Sequence, residues 1–269
     1  MDKALILARG LGTRMRQDAP QVKLSPTQER IAATGVKALM PIDRPFLDYV
    51  LTAVADAGYR RLCLVVGPEH HELRQYYGTT LSYTRLELEF AVQEQPLGTA
   101  DAVAAGEAFA AGEPFLMINS DNYYPVPALV ALRQLDGPGL ALFDRESMLA
   151  GSNIPAERLL RFAVVEVGPD QYMKRIIEKP ALEVVEALPA PIGVSMNCWR
   201  FGPEIFPACR AIPPSPRGEL EITDAVQYAI DRLGVRFRAL PFAAAVLDLS
   251  SREDVEGVAQ RLAGMEVRL

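Results

Sequence analysis

The sequence predicts an α/β protein built on a mainly parallel sheet covered on both faces, and three observations carry that expectation. Short apolar runs recur along the first half, stretches of helical period separate them, and after residue 140 the pattern changes to that of paired antiparallel strands. With 269 residues, 49% of them hydrophobic and 23% charged, the chain is long enough to bury a large core and is not a disordered segment.

Residues 3–8 read as a fully buried strand that runs into Gly10 and Gly12, and residues 61–66, 88–92 and 114–119 read the same way. Residues 45–57 place Phe46, Leu47, Val50, Leu51, Val54 and Ala55 at helical spacing, and residues 99–111 share that period. Strand then helix favours parallel crossovers. Residues 160–167 and 172–178 flank Gly168-Pro169-Asp170 and predict a hairpin. Residues 219–232 and 251–263 predict helices, the last opening on a polar, acidic turn. The stretch 14–34 is polar, contains Pro20 and Pro26 and shows no clear period, so it is expected as a surface loop of the kind that serves as a lid. No Ser/Gly linker or internal repeat divides the chain, and one domain over residues 1–269 is expected.

Charge and cysteine usage narrow the function classes. Lys and Arg number 28 against 34 Asp and Glu, a net charge of −6, which argues against a nucleic-acid surface and against attraction to anionic membranes. Cys63, Cys198 and Cys209 with the adjacent His70 and His71 form no zinc or disulfide pattern. The five apolar residues before Arg9 are too few for a secretory signal, and no apolar run approaches membrane-spanning length, so a cytoplasmic setting is expected.

Several residues carry chemistry. The turn Leu7-Ala8-Arg9-Gly10-Leu11-Gly12-Thr13-Arg14 offers backbone amides and a cation to a phosphate, although a tight turn after a buried strand needs glycines in any case. Asp121 follows the strand ending at Asn119, at the carboxyl end where ligands of open α/β sheets collect, and is the first candidate metal ligand. Asp248 ends a second apolar run and is either the partner metal ligand or the cap of the last helix. The Gln93 amide supplies both a donor and an acceptor, and is otherwise a polar residue closing a strand.

Five further segments follow in order: Gly35-Val36-Lys37-Ala38-Leu39-Met40-Pro41-Ile42, Gln93-Glu94-Gln95-Pro96-Leu97-Gly98-Thr99-Ala100, Asn119-Ser120-Asp121-Asn122, Ile177-Glu178-Lys179-Pro180, and Gly218-Glu219-Leu220-Glu221-Ile222-Thr223-Asp224. With the first turn, they resemble the sugar-1-phosphate nucleotidylyltransferases, or nucleotide-sugar pyrophosphorylases, and most nearly the glucose-1-phosphate thymidylyl- and uridylyltransferases. The resemblance runs from Leu5 to about Asp248. It implies a Rossmann-like three-layer α/β/α nucleotidyltransferase fold with a mixed sheet, a nucleotide-binding half over about 1–125 and a sugar-binding half over about 126–269.

It further implies transfer of a nucleoside monophosphate from UTP or dTTP to a hexose 1-phosphate, with release of pyrophosphate. Arg14, Lys37 and Lys179 match the catalytic cations, and Asp121 and Asp248 the ligands of Mg²⁺. Leu7, Ala8, Gly10, Gly12 and Thr13 match the nucleotide-binding turn, and Gln93, Gly98 and Thr99 the base-reading segment. Glu178 and Asn197 match sugar-facing positions. The partners implied are the two substrates, without nucleic acid or membrane, and a homo-oligomer is possible within the family. The competing expectations are a guanylyl-transferring relative acting on mannose 1-phosphate, and a regulatory homologue that binds a nucleotide sugar without turnover. A nicotinamide-dependent oxidoreductase is disfavoured, because the turn lacks the G-x-G-x-x-G spacing. Two departures stand out. Arg9 occupies a place where the family usually has glycine or alanine, and is expected to reshape the base pocket or to pair with the triphosphate; Leu249-Ser250-Ser251 replaces the usual Thr-Gly-Thr after Asp248.

Overall fold

The computed structural model describes residues 1–187 and 192–269. Its strands are β1 (Lys3–Leu7), β2 (Arg61–Val66), β3 (Glu87–Val92), β4 (Phe115–Asn119), β5 (Asn122–Tyr123), β6 (Gly139–Asp144), β7 (Ala163–Val167), β8 (Met173–Ile177), β9 (Gly193–Phe201), β10 (Arg238–Phe242) and β11 (Leu247–Asp248). Seven of them lie in the order β10-β6-β9-β4-β1-β2-β3, with β7 paired to β9 and β8 to β7; β5 and β11 form a separate two-stranded pair. Strands β1 to β4 are mutually parallel, whereas β9 runs antiparallel to β4 and β6. The sheet is therefore mixed, with its parallel half built first.

Alternation along the strands sorts side chains onto two faces. Ala4, Ile6, Leu64, Leu116 and Ile118 join one apolar cluster, and Leu5, Leu7, Val65, Phe115 and Met117 join the other. The Phe46–Asp56 helix packs on the first face. The Thr99–Ala105, Ile205–Ala211 and Ile222–Leu233 helices cover the second, where Trp199 stacks on Phe201 at 5.5 Å and Phe206 on Phe115 at 5.5 Å. Three layers result. No described helix is long and apolar enough to cross a membrane.

Four sequence expectations need correction. The stretch 14–34 contains a nine-residue helix, Pro26–Thr34, closed by a reciprocal cap between Ser25 and Gln28 and ended by Gly35 in the left-handed region. β3 is a partly exposed edge strand, not a fully buried one, because among the described residues no strand pairs with its outer side. The helix expected over 99–111 breaks at Gly106, where a Cβ would lie 2.5 Å from the Leu5 side chain. The last helix starts at Asp254, whose carboxylate accepts hydrogen bonds from Ser250 N (3.0 Å) and Ser251 N (2.8 Å) and so ties the helix to the segment before it; the Asp248 carboxylate bonds Ser250 Oγ and Asn122 and does not cap this helix.

The later part of the chain is clamped to the earlier part at Gly98. Its φ of 125° places a hypothetical Cβ 2.5 Å from the Leu220 carbonyl oxygen, so only glycine allows this approach. Leu220 N donates to Leu97 O (2.7 Å), Ala100 N to Leu220 O (2.8 Å), and Ile222 N to the Thr99 hydroxyl (2.8 Å). Gly98→Ala is expected to lower unfolding stability by about 2–4 kcal/mol, read as a fall in the urea midpoint, because it combines a strained φ with a backbone collision. Retention of the wild-type midpoint would contradict the clamp.

Candidate active site

Leu7 and Asn119 sit opposite each other where β1 and β4 end, and these carboxyl ends open into a cleft of about 330 Å³. Leu7, Ala8, Gly10, Gly12 and Thr13 line one side of it. Gln93, Gly98 and Thr99 line another, and Lys37 and Asp121 a third. Gly12 adopts φ 61° and lies so close to Gly35 that a Cβ would meet the Gly35 carbonyl oxygen at 2.1 Å. That contact delivers the next residues to the cleft: Lys37 N donates to Gly35 O (3.0 Å), and the Lys37 side chain forms an ion pair with Asp121. Gly10 differs, since a Cβ there would meet nothing within 4 Å.

Asp121 and Asp248 belong to one group. β11 pairs antiparallel with β5, setting Asp248 across from Asn122, and Leu249 N donates to the Asp121 carbonyl (2.8 Å). Asp248 is 3% exposed. Its carboxylate accepts from Ser250 Oγ (2.7 Å) and Asn122 Nδ2 (3.0 Å) and lies 3.3 Å from Arg158 Nη2. Burial first, and the Asp121 charge second, push its pKa up to about 6, with Ser250, Arg158 and Lys37 pulling the other way. Arg158 in turn grips Asp254 through both amino groups, at 3.0 and 2.8 Å. Among the described residues no three His, Cys, Asp or Glu side chains form a metal cage, which leaves a two-carboxylate site of hard oxygen donors.

The other cations stand apart. Arg14 is exposed, does not line the cleft and makes no side-chain hydrogen bond or ion pair among the described residues. Lys179, also exposed, has φ 45° and likewise no such partner; of the five charged residues matched to catalysis and metal binding, Lys37 and Asp121 line the cleft, and buried Asp248 is not among its lining residues. Glu178 is half-buried beside Arg217 Nη2 (3.8 Å), which also pairs with Glu221; burial and then the Glu221 charge raise the Glu178 pKa. Asn197, at φ 54°, accepts from Trp199 Nε1 (3.3 Å), and its carbonyl lies 3.4 Å from the Tyr124 hydroxyl, which is 3.4 Å from Asn122 Oδ1. Asn197 therefore adjoins the carboxylate group through Tyr124.

At the Gln93 end the structure corrects the expectation of a Gln93 amide open on both its donor and acceptor sides, and of the two alternatives for Arg9 it disfavours pairing with a triphosphate. Gln93 Nε2 donates to Gly98 O (3.0 Å) and to Asp101 Oδ2 (2.7 Å), so both amide hydrogens are engaged and Oε1 is the group left to accept. Arg9 pairs with Glu69 (2.6 Å) and donates through Nε to the Gln93 carbonyl (3.1 Å), a neutralised cation already tied to protein. Sequence reasoning missed Asn122, Asn153, Arg158 and Ser250 around Asp248. Asn122 follows Asp121 directly and Ser250 lies two residues past Asp248, which is a readable signal; Arg158 and Asn153 reach the site only through the fold.

A family model described as Nucleotidyl transferase matches residues 3–241. A glucose-1-phosphate thymidylyltransferase of Streptomyces griseus is 34% identical over 230 residues, covering 85% of this chain and 57% of the relative. The UTP–glucose-1-phosphate uridylyltransferase AglF of Haloferax volcanii is 28% identical over 262 residues, covering 97% of this chain and 96% of the relative. The chain spans 47–59% of the length of four of the curated relatives it matches, the Streptomyces griseus protein among them. A crystal structure of UDP-glucose pyrophosphorylase complexed with UDP-glucose superposes with a TM-score of 0.76 at 22% identity, covering 99% of this chain and all of that one, a likeness of fold.

The charge balance at Asp248 is directly measurable. In carbon-detected NMR its carboxyl is expected to titrate near pH 6, Asp121→Asn to lower that value by removing a like charge, and Arg158→Met to raise it. A titration near 4 in the wild-type chain, unmoved by either change, would remove the coupling.

Proposed function

Because the chain belongs to the nucleotidyl transferase family, we propose that it transfers a nucleoside monophosphate from a nucleoside triphosphate to a hexose 1-phosphate, releasing pyrophosphate, with UTP or dTTP as the preferred donor. The observation that carries this is the Lys37–Asp121–Asp248 group at the ends of β1, β4 and β11, beside a glycine-bearing turn. The names of the Streptomyces and Haloferax relatives support a sugar 1-phosphate acceptor and a pyrimidine donor.

In such a reaction the sugar phosphate is itself the nucleophile, so the absence of His or Cys from the cleft lining is no obstacle. The protein's task is to hold two polyanions in line and to offset the charge that grows at the α-phosphorus. Lys37 faces the cleft and supplies one charge; Arg14 and Lys179 supply others when substrates bring them in. Backbone groups of Leu7 to Thr13 approach the phosphates, and Gly10 leaves them room. Gln93 Oε1 accepts the N3–H of a uracil or thymine, with Gly98 and Thr99 closing that end. Glu178 and Asn197 bond sugar hydroxyls. Asp121 and Asp248 would hold Mg²⁺, which when bound neutralises phosphate charge; two neighbouring carboxylates, one raised in pKa by burial first and by the other's charge second, fit a hard divalent cation. We assign this activity to one domain, with nucleotide binding in about 1–125 and sugar binding in about 126–269, in a cytoplasmic protein able to self-associate.

A matrix of triphosphates against sugar 1-phosphates, followed by pyrophosphate release, tests the proposal. Release is expected only with both substrates present and fastest with UTP or dTTP. Lys37→Ala and Asp121→Ala are each expected to lower kcat/KM by about 100-fold or more. Wild-type turnover in both variants would falsify the assignment. At limiting Mg²⁺ the rate is also expected to drop as pH falls through about 6, because protons compete with the cation for Asp248, and saturating Mg²⁺ is expected to move that drop to lower pH.

A further inference from the structure

Arg9 is a long cation at the end of a buried strand, and it is 7% exposed. It lines the cleft on the side of Gln93. Its guanidinium spans two other strand ends: Nε donates to the Gln93 carbonyl just past β3 (3.1 Å), and Nη1 pairs with Glu69 (2.6 Å) in the turn after β2. That turn is shaped to admit the pair. A Cβ on Gly67 would lie 2.7 Å from Arg9 Nε and 2.4 Å from Glu69 Oε2. Gly67 N is in turn occupied by His70 Nδ1 at 3.3 Å, so the turn folds around the Arg9–Glu69 pair.

Gln93 is consequently held from every direction. Its N donates to Val66 O (2.9 Å), its carbonyl accepts from Arg9, and its side-chain amide is tied to Gly98 O and Asp101. Among the described residues Oε1 has no hydrogen-bond partner, and the two-point grip of Arg9 is what fixes the main chain that carries it. The Arg9 side chain is also part of the cleft wall, so its bulk limits the room left at this end.

We propose that Arg9 is a specificity-determining positioning residue: braced between Glu69 and the Gln93 carbonyl, it sets the Gln93 side-chain oxygen and narrows the base end of the cleft to a pyrimidine. The proposal rests on the nucleotidyl-transfer reading for its substrate, and on the geometry alone for the brace. Arg9 acts through Gln93 and through space filling, with no bond to reacting atoms.

The test compares Arg9→Gly, Arg9→Lys and Glu69→Gln with the wild-type chain. Calorimetry gives the Kd for UTP and for GTP, and the pyrophosphate assay gives kcat and KM. Arg9→Gly is expected to weaken UTP binding about tenfold or more and to lower the UTP-over-GTP preference, with kcat changed less than about threefold. Arg9→Lys is expected not to rescue, because an ammonium cannot span both acceptors as the guanidinium does. Glu69→Gln, an exposed position that does not endanger folding, is expected to move the preference the same way by about threefold. An unchanged UTP-over-GTP ratio in folded Arg9→Gly, or a loss confined to kcat, overturns the proposal. If Arg9→Gly does not fold, the unchanged ratio in Glu69→Gln overturns it instead. Triphosphate binding without pyrophosphate release in the wild-type chain refutes the reaction, while the Kd ratios still decide the role of Arg9. A wild-type chain that binds neither triphosphate refutes both.

Discussion

Two carboxylates forced together at the junction of β5 and β11 are the constraint around which this site is built. Asp121 cannot withdraw, because its carbonyl holds Leu249 N and the next residue pairs with Asp248. Asp248 is buried, and its rise to about 6 means that its ionised form is disfavoured by about 3 kcal/mol relative to water. The fold offsets part of that cost with Lys37 on one carboxylate and with Arg158, Asn122 and Ser250 around the other. Positive charge is what the pair still favours, and a site with that character suits reactants that are themselves polyanions accompanied by a divalent cation.

The rest of the molecule positions those charges. Close packing of Gly12 on Gly35 brings Lys37 to the cleft. Arg252, 7% exposed, donates to the Met15 carbonyl (3.1 Å) and pairs with Glu29 (2.5 Å), tying the Pro26–Thr34 helix to the segment that leaves Asp248. The first turn, the helical insertion and the second carboxylate are thus fastened to one another. On the opposite rim, the Gly98–Leu220 approach and the Thr99 hydroxyl anchor the start of the Ile222–Leu233 helix.

How much of this was legible depended on whether local chemistry or tertiary context decided the outcome. Buried parallel strands such as β1 and β4 are uninterrupted apolar runs, and the carboxyl end of β4 identified the neighbourhood of Asp121 without coordinates. The Pro26–Thr34 helix was legible too, in Ser25-Pro26 followed by Gln28 and ended by Gly35; its polar face and two nearby prolines hid a capping signal that was present. β3 was misjudged because an edge position is a property of the sheet and not of the strand. Arg14 and Lys179 lie at motif positions yet stand clear of the Lys37–Asp121 pair, since sequence order carries no information on whether a surface cation folds inward. The Gln93 amide shows the same limit: its hydrogens are taken by Gly98 and by Asp101, eight positions along, which only the turn geometry brings within reach.

The sharpest test of the two-carboxylate arrangement is Mn²⁺ binding followed by electron paramagnetic resonance in the presence of a nucleoside triphosphate, on the wild-type chain and on Asp121→Asn and Asp248→Asn. If Asp121 and Asp248 hold one cation between them, each single change weakens Mn²⁺ at least about tenfold, and the double change adds little beyond either. Undiminished Mn²⁺ affinity in Asp248→Asn would contradict the shared site, and would make Asp248 a structural carboxylate serving only Asn122, Ser250 and Arg158.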